Sequence, residues 1–484
     1  MPTRPVVASP SPPPARLHAL RTLTTAAARI RSVARDRAMS WRTSAAPAST
    51  AGAVDATALN AFLRAGQAAA TTPGTKLYVV MGNEAADLDS IACAIALATS
   101  LDRDGVAAEA NERVIPLIAI PRDDFSLRAD AAWLLRDLGV DVSSLVFLDD
   151  LDVAAPPSGV EIAGLTLVDH NALSPRLAAS AAAALASKTV LVIDHHDDEK
   201  KYPDTAFVTI EPTGSCATLV FERIAKTRSC ARDVLCAGGP IATMLFAAVL
   251  IDTQNLDPAA TRSTPRDVAA VDALAPRVAA KVGDVALVDA SDASARIGFY
   301  EELKRRRFDQ RGLSPRDLLR RDYKQWTMGD GRWGWEVGVA SFGVPLTEMG
   351  GRGGGDDASS VVTAACDAFA RERGLDVLVL MAAFDDANDG GAFARQLAFW
   401  LPSAASSGGA GVDAETRSKR DAVLREMIAE TLAPALGGLE RLDAEEDAVG
   451  AFEGRAYAQG DARASRKKLQ PAMAARLSET PKPR

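Results

Sequence analysis

Histidine is scarce: only His18, His170, His195 and His196 occur in 484 residues. A metal site built mainly from imidazole is therefore hard to assemble. Any such site must lean on carboxylates, which favour hard ions such as Mg²⁺ or Mn²⁺. Cysteine is nearly as sparse. Cys93, Cys216, Cys230, Cys236 and Cys366 are odd in number, scattered and without a CxxC pair. They read as reduced intracellular thiols, which excludes structural zinc and a secreted disulfide framework. No GxxxxGK[ST] motif and no GxGxxG motif at a strand-to-helix turn occurs, so P-loop and dinucleotide readings have no support. A secretory apolar core is missing too. The one long uncharged run, 18 residues at 234–251, sits at the lower limit for a membrane span. It contains Gly238-Gly239-Pro240 and ends in Asp252. A proline suited to a first helical turn makes it a buried core helix, and no membrane span is expected.

What is present is ordinary globular composition, 48% hydrophobic and 24% charged, with a formal net charge of −8. Wholesale disorder is excluded, and two or three domains are expected at this length. The charge is unevenly spread. Residues 1–54 hold eight arginines against one acid, Asp36, a local +7 that leaves the rest of the chain at −15. Basic, hydroxyl-rich and acid-poor, this leader fits an organelle transit peptide. A disordered tail, or an upstream extension of a chain starting at Met39, fits equally. The corresponding location is cytoplasmic or mitochondrial.

From 75 to 255, short β-branched runs alternate with Ala/Leu-rich helical patterns. Strands are predicted at 77–81, 114–120, 145–148, 165–168 and 190–193, and helices at 90–99, 127–138 and 175–186. Nearly continuous apolar strands separated by helices imply a buried parallel sheet, an α/β fold. This domain is placed at 70–255, followed by a connecting region at 256–295. A second, smaller α/β domain is placed at 296–475. Its predicted strands are 335–341 and 377–383 and its helices 356–373 and 417–432. The run Lys304-Arg305-Arg306-Arg307 is either an exposed basic helix face or a track for a long polyanion. Nucleic acid is the less attractive partner for an acidic body without interleaved aromatics.

The informative pattern is where the aspartates fall. Strand 77–81 runs into GNEAADLDS (82–90), strand 165–168 into Asp169-His170-Asn171, and strand 190–193 into Asp194-His195-His196-Asp197. The buried run 241–251 delivers Asp252. In a parallel sheet the carboxyl ends of the strands form one edge, where ligands bind. One aspartate after a strand is usually a turn or N-cap residue. Four such segments, with three of the four histidines among them, point to a shared site. Carboxylates at close quarters are tolerable only when protonated or holding cations. Two divalent ions binding phosphate oxygens is the simplest arrangement, so the residues themselves point to metal-assisted phosphoryl hydrolysis.

At these residues the sequence resembles the DHH phosphoesterase superfamily. The branch it resembles contains eukaryotic exopolyphosphatases, prune-type proteins and family II inorganic pyrophosphatases. The motifs appear in order: GNEAADLDS (82–90), LVDHN (167–171), VIDHHDDE (192–199), GSCATLV (214–220) and LIDTQN (250–255). RDYKQW (321–326), GVASFGVPL (338–346) and SRKKLQP (465–471) extend the likeness into a DHH-associated domain. The resemblance implies two divalent cations, Mg²⁺ or Mn²⁺ with Co²⁺ also able to serve, in a cleft between the domains. Asp87 and Asp89 would bind separate metals, and Asp169 would bridge both. His195 and Asp252 would complete the second. Asn83 stands where pyrophosphatases carry histidine, and its amide oxygen would shift preference towards Mg²⁺. His196 would contact the scissile phosphate and supply a proton. Lys324, Arg466 and Lys467, with Lys468 able to share the role, would grip substrate phosphates. Arg122, in IPRDDFSLR (120–128), would bind phosphate or be a surface arginine. Prune-type proteins have arginine after the first histidine of the third motif, whereas this chain keeps His195-His196. The implied activity is an exopolyphosphatase releasing terminal orthophosphate from linear polyphosphate. A hydrolase of short polyphosphates, pyrophosphate or cyclic nucleotides, and a non-catalytic polyphosphate-binding scaffold, are the alternatives.

Overall fold

The computed structural model describes residues 54–173, 185–203, 206–226, 234–236, 238–287, 289–329, 334–351, 358–386, 391–402, 413–442, 448–480 and 482–483. The basic leader and most of the helix predicted at 175–186 lie outside the described residues. The chain divides into two compact units, Met1–Arg307 and Phe308–Arg484.

The first unit opens with α1 (Thr57–Ala70), β1 (Lys76–Met81), α2 (Leu88–Arg103), β2 (Glu112–Ile118), α3 (Ala129–Asp137) and β3 (Val146–Phe147). There follow β4 (Glu161–Val168), β5 (Thr189–Asp194), β6 (Phe207–Ile210), α4 (Cys216–Lys226), α5 (Pro240–Asp252), α6 (Pro265–Leu274) and α7 (Ala293–Phe308). The six strands form one sheet in the order β3-β2-β1-β4-β5-β6. Every pairing in it is parallel.

The apolar runs are continuous because both sheet faces are covered. Along β1, Tyr78 and Val80 join the core formed with α2, α4 and α5. Leu77, Val79 and Met81 face the opposite cluster, which takes in the end of α1. Helix α5 is buried at every position from Pro240 to Ile251, with proline in its first turn. None of the described helices is long and apolar enough to cross a membrane. Residues beyond 255 also pack into this unit: Val271 and Leu274 of α6, and Phe299 and Leu303 of α7, belong to its main core. Strand order reverses between β1 and β4, and such a switch point opens a crevice at the strand carboxyl ends.

The second unit contains α8 (Pro315–Arg321), β7 (Tyr323–Met328), β8 (Trp335–Phe342), α9 (Ala358–Arg373), β9 (Val377–Asp386) and β10 (Ala392–Trp400). It continues with α10 (Ala414–Met427), β11 (Leu439–Arg441), β12 (Ala456–Gln459) and α11 (Arg466–Glu479). Its sheet is mixed, in the order β11-β12-β10-β9-β8-β7, with β8 and β9 the parallel pair. Leu319 and Phe369 cover one face, while Leu424, Met427, Leu469 and Met473 cover the other.

Candidate metal centre

The loops after β1, β4 and β5, together with the end of α5, meet at the switch point. They bring Asn83, Asp87, Asp89, Asp169, His195, His196 and Asp252 into the wall of one pocket of about 290 Å³. The backbone is shaped around it. Asp169 adopts φ +62° and Ala86 φ +45°, while Gln254, Asn255 and Leu256, just beyond Asp252, all have φ between +53° and +62°. Non-glycine residues held in this region cost about 1–3 kcal/mol each and persist where surrounding structure enforces them.

Each carboxylate has a distinct anchor. Asp87 caps α2, accepting from the Ser90 N–H at 3.1 Å. Asp89, in the first turn of α2 and only 2% exposed, lies against the start of α4. Its two oxygens accept from the Cys216 and Ala217 N–H groups at 2.7 and 2.8 Å. That is the work of the GSCATLV segment: a helix N-terminus with free backbone donors fixes an anionic side chain. Asp169 is 3% exposed. Its Oδ1 lies 3.3 Å from His195 Nε2, and its Oδ2 accepts from Asn83 Nδ2 at 2.8 Å. Asn83 Oδ1 is occupied by the backbone N–H groups of Ala85 and Ala86 at 2.9 and 3.1 Å. Asn83 thus turns a donor towards the site, where the family likeness implied an oxygen ligand.

The histidines are oriented from behind. His195 Nδ1 bonds the Thr213 carbonyl at 2.9 Å, which leaves Nε2 for the pocket, the usual arrangement behind a metal-binding imidazole. His196 Nδ1 lies 2.8 Å from Oδ1 of Asp194. That carboxylate is fully buried and also accepts from the His195 and His196 backbone N–H groups and from Asn171. The ligand atoms of Asp169, His195 and His196 lie within 4.8 Å of one another.

Electrostatics show what this crowding costs without a counter-ion. Burial and the Asp89 charge push Asp169 up to about 7. Burial and the charges of Asp89 and Asp87 raise Asp252 well above the carboxylate range, and burial with Asp89 raises Asp87. For His195 burial works downwards, but the hydrogen bond to Asp169 and the Asp89 charge outweigh it and lift the group to about 9. Carboxylates forced together in this way, backed by an imidazole with a fixed tautomer, are the donor set a hard divalent cation needs. The residues therefore fit such ions.

The remaining sequence candidates lie elsewhere. The Arg122 guanidinium bonds the Leu145 carbonyl at 2.8 Å and Asp150 at 2.6 Å, and it sits over the Phe147 ring. These contacts give it a structural occupation away from the pocket wall. In the second unit, Lys324 is exposed on β7, and Arg466 pairs with Asp322 at 2.9 Å. Lys467 is exposed beside it, and Lys468 pairs with Asp461 at 3.1 Å. In the basic run of α7, Arg305 and Arg306 both pair with Glu302. Hydrogen bonds from those two arginines hold that carboxyl down at about 2. Arg307 instead reaches Asp87 at 3.9 Å. Three pocket-wall residues went unnamed as site candidates in the sequence: Thr213, Gly214 and Arg262. Only Gly214 had a signal, as the first residue of GSCATLV.

Residues 78–251 match the DHH family N-terminal domain and residues 301–475 match the DHHA2 domain. "Exopolyphosphatase PRUNE1" of Rattus norvegicus and of Homo sapiens are each 30% identical over 69% of this chain and 65% of their own length. The chain thus spans just under two thirds of these relatives. A Schizosaccharomyces pombe protein named "Putative exopolyphosphatase" is 30% identical over 54% of this chain and 68% of its own. One solved structure is described as "Crystal structure of Methanococcus jannaschii putative family II inorganic pyrophosphatase". It aligns over 83% of this chain and 99% of that one, at 18% identity and a TM-score of 0.35. With both domain models matched in order and these relatives beside it, the chain belongs to the DHH superfamily, in its prune-like branch.

Proposed function

We propose that this protein is a metal-dependent phosphoanhydride hydrolase, an exopolyphosphatase that releases terminal orthophosphate from linear polyphosphate. The observation that carries the reading is the convergence of Asp87, Asp89, Asp169, His195 and Asp252 on one pocket with His196 in its wall. Two divalent cations, Mg²⁺ or Mn²⁺, held by those five residues would supply Lewis-acid charge stabilisation and raise the acidity of water. Asp169 would serve both ions, with Asn83 orienting it by an amide hydrogen bond. Asp194 holds Nδ1 of His196, so the proton that His196 exchanges is at Nε2. The hydrogen bond to Asp194 raises the His196 pKa against the effect of burial, favouring the protonated form that can donate to a leaving phosphate oxygen. The assignment of Lys324, Arg466 and Lys467 to the negative charge of the substrate rests on the family likeness.

The test compares phosphate release from long-chain polyphosphate, tripolyphosphate, pyrophosphate and cyclic AMP, each with Mg²⁺ or Mn²⁺. Release fastest from long chains and lost on chelation is the expected result. Preference for pyrophosphate or cyclic AMP would replace the substrate assignment. Metal-dependent polyphosphate binding without turnover would make the protein a scaffold.

A further inference from the structure

Among the described residues lining the acidic pocket, Arg262 is the one lysine or arginine. It comes from the connection between α5 and α6, past the end of LIDTQN (250–255), and its placement is built. Thr261 before it is left-handed, at φ +52°. Two residues later, Thr264 caps α6 in a reciprocal box with Asp267. Asp267 is fully buried and accepts from the Thr264 N–H at 2.7 Å, the Gly214 N–H at 2.8 Å and the Thr218 hydroxyl at 2.6 Å. One carboxylate thus ties the turn bearing Arg262 to the 213–218 segment that orients His195 and Asp89. The two segments touch so closely that a Cβ on Gly214 would lie 2.6 Å from the Arg262 carbonyl oxygen.

Arg262 is an exposed residue whose guanidinium forms no ion pair with any described residue, although four aspartates share its pocket. A permanent cation held at the edge of an anionic cluster, yet not neutralised by it, is placed for an anion brought by a ligand. A phosphate group suits it, because a guanidinium presents two parallel donors to phosphate oxygens. We propose that Arg262 binds an oxygen of the phosphate seated in this pocket and so sets affinity for phosphoanhydride substrates from within the first unit. The proposal takes its substrate class from the hydrolase reading above.

The experiment uses full-length wild type, Arg262→Gln and Arg262→Lys with Mg²⁺. Calorimetry follows binding of imidodiphosphate and of Mg²⁺ alone, steady-state assays with tripolyphosphate and pyrophosphate give KM and kcat, and thermal melts check folding. The expected result for Arg262→Gln is at least about tenfold weaker imidodiphosphate binding and a matching rise in KM, the loss of one charge-assisted hydrogen bond. Its Mg²⁺ affinity stays within about twofold and its melting temperature is unchanged; Arg262→Lys recovers part of the affinity because it keeps the charge without the fork. Unchanged KM and imidodiphosphate affinity in an active Arg262→Gln protein overturn the proposal, and tighter Mg²⁺ binding with unchanged KM shows that the guanidinium serves the carboxylates instead. Should wild type hydrolyse none of the substrates, Arg-dependent imidodiphosphate binding sustains the phosphate site while the hydrolase reading falls. Absence of such binding in wild type removes both.

Discussion

At the scale of single residues, the site is a set of carboxylates that the apo fold would rather not hold together. Asp252 shows this most clearly: it is raised by burial and by Asp89 and Asp87, against the opposing charge of Arg307. Removing its charge should therefore help the metal-free protein and harm the loaded one. For Asp252→Asn, thermal melts in chelator should rise by roughly a few degrees, while the increase in melting temperature that Mg²⁺ gives wild type should vanish. A metal-free melting temperature that falls instead would mean that Asp252 is a structural acceptor. Much of this level was legible in the sequence. The aspartates and paired histidines stood at the ends of apolar runs, and the structure brings Asp87, Asp89, Asp169, His195, His196 and Asp252 to one wall. What sequence could not show was direction. Nothing in the letters says that Asn83 turns its NH₂ to Asp169, or that Asp150 and Phe147 occupy Arg122, because both depend on partners far along the chain.

At the scale of elements, the pocket depends on a few close approaches between turns. Gly214 makes one of them: a Cβ there would meet Thr253 Cγ2 at 2.5 Å as well as the Arg262 carbonyl. Gly214→Ala must push these turns apart, which for overpacking in a filled region costs about 1–3 kcal/mol. Denaturant titration should show that loss of stability, and Mg²⁺ affinity should fall with it, since the displaced segment carries the Thr213 carbonyl behind His195. Wild-type stability in this variant would show the turns to be slack. The strong elements were predictable from pattern: β1, β4, β5 and α5 are continuous apolar runs because both of their sides are buried. Strand β6 was not, because Phe207–Ile210 is a short sheet-edge strand with no fully buried residue. The helix predicted at 417–432 starts earlier, at Ala414, where Asp413 caps it. It does not stop before Pro434 but passes through a wider turn at Ile428–Leu432 into Ala433–Ala435. Such a turn relaxes the i→i−4 ladder where proline removes a donor.

At the scale of the whole molecule, protonation, metal binding and stability should be linked through the first unit. Asp169, near 3.8 when unfolded and about 7 when folded, contributes stability below pH 4 that is lost as pH rises towards 7. His195, near 6.5 unfolded and about 9 folded, contributes stability below pH 6.5 that is lost as pH climbs through 9. Both terms weaken the metal-free site as pH increases, while cations need deprotonated ligands. The gain in melting temperature on adding Mg²⁺ should therefore grow from pH 5.5 to pH 8.5, and a gain independent of pH would place the ion elsewhere. Two-unit organisation was visible in the shift from long apolar strands to a more charged second half. The membership of α6 and α7 was less visible, since it rests on a few buried residues such as Leu274 and Phe299 within otherwise polar helices. The proposed hydrolase depends above all on the Asp169 carboxylate serving two cations. The most direct measurement of that dependence is steady-state orthophosphate release from long-chain polyphosphate under saturating Mg²⁺, wild type against Asp169→Asn. Wild type should show sustained release and the variant at least about a 100-fold loss in kcat, with its melt in chelator no lower than that of wild type. A folded Asp169→Asn protein that releases phosphate at the wild-type rate would contradict it.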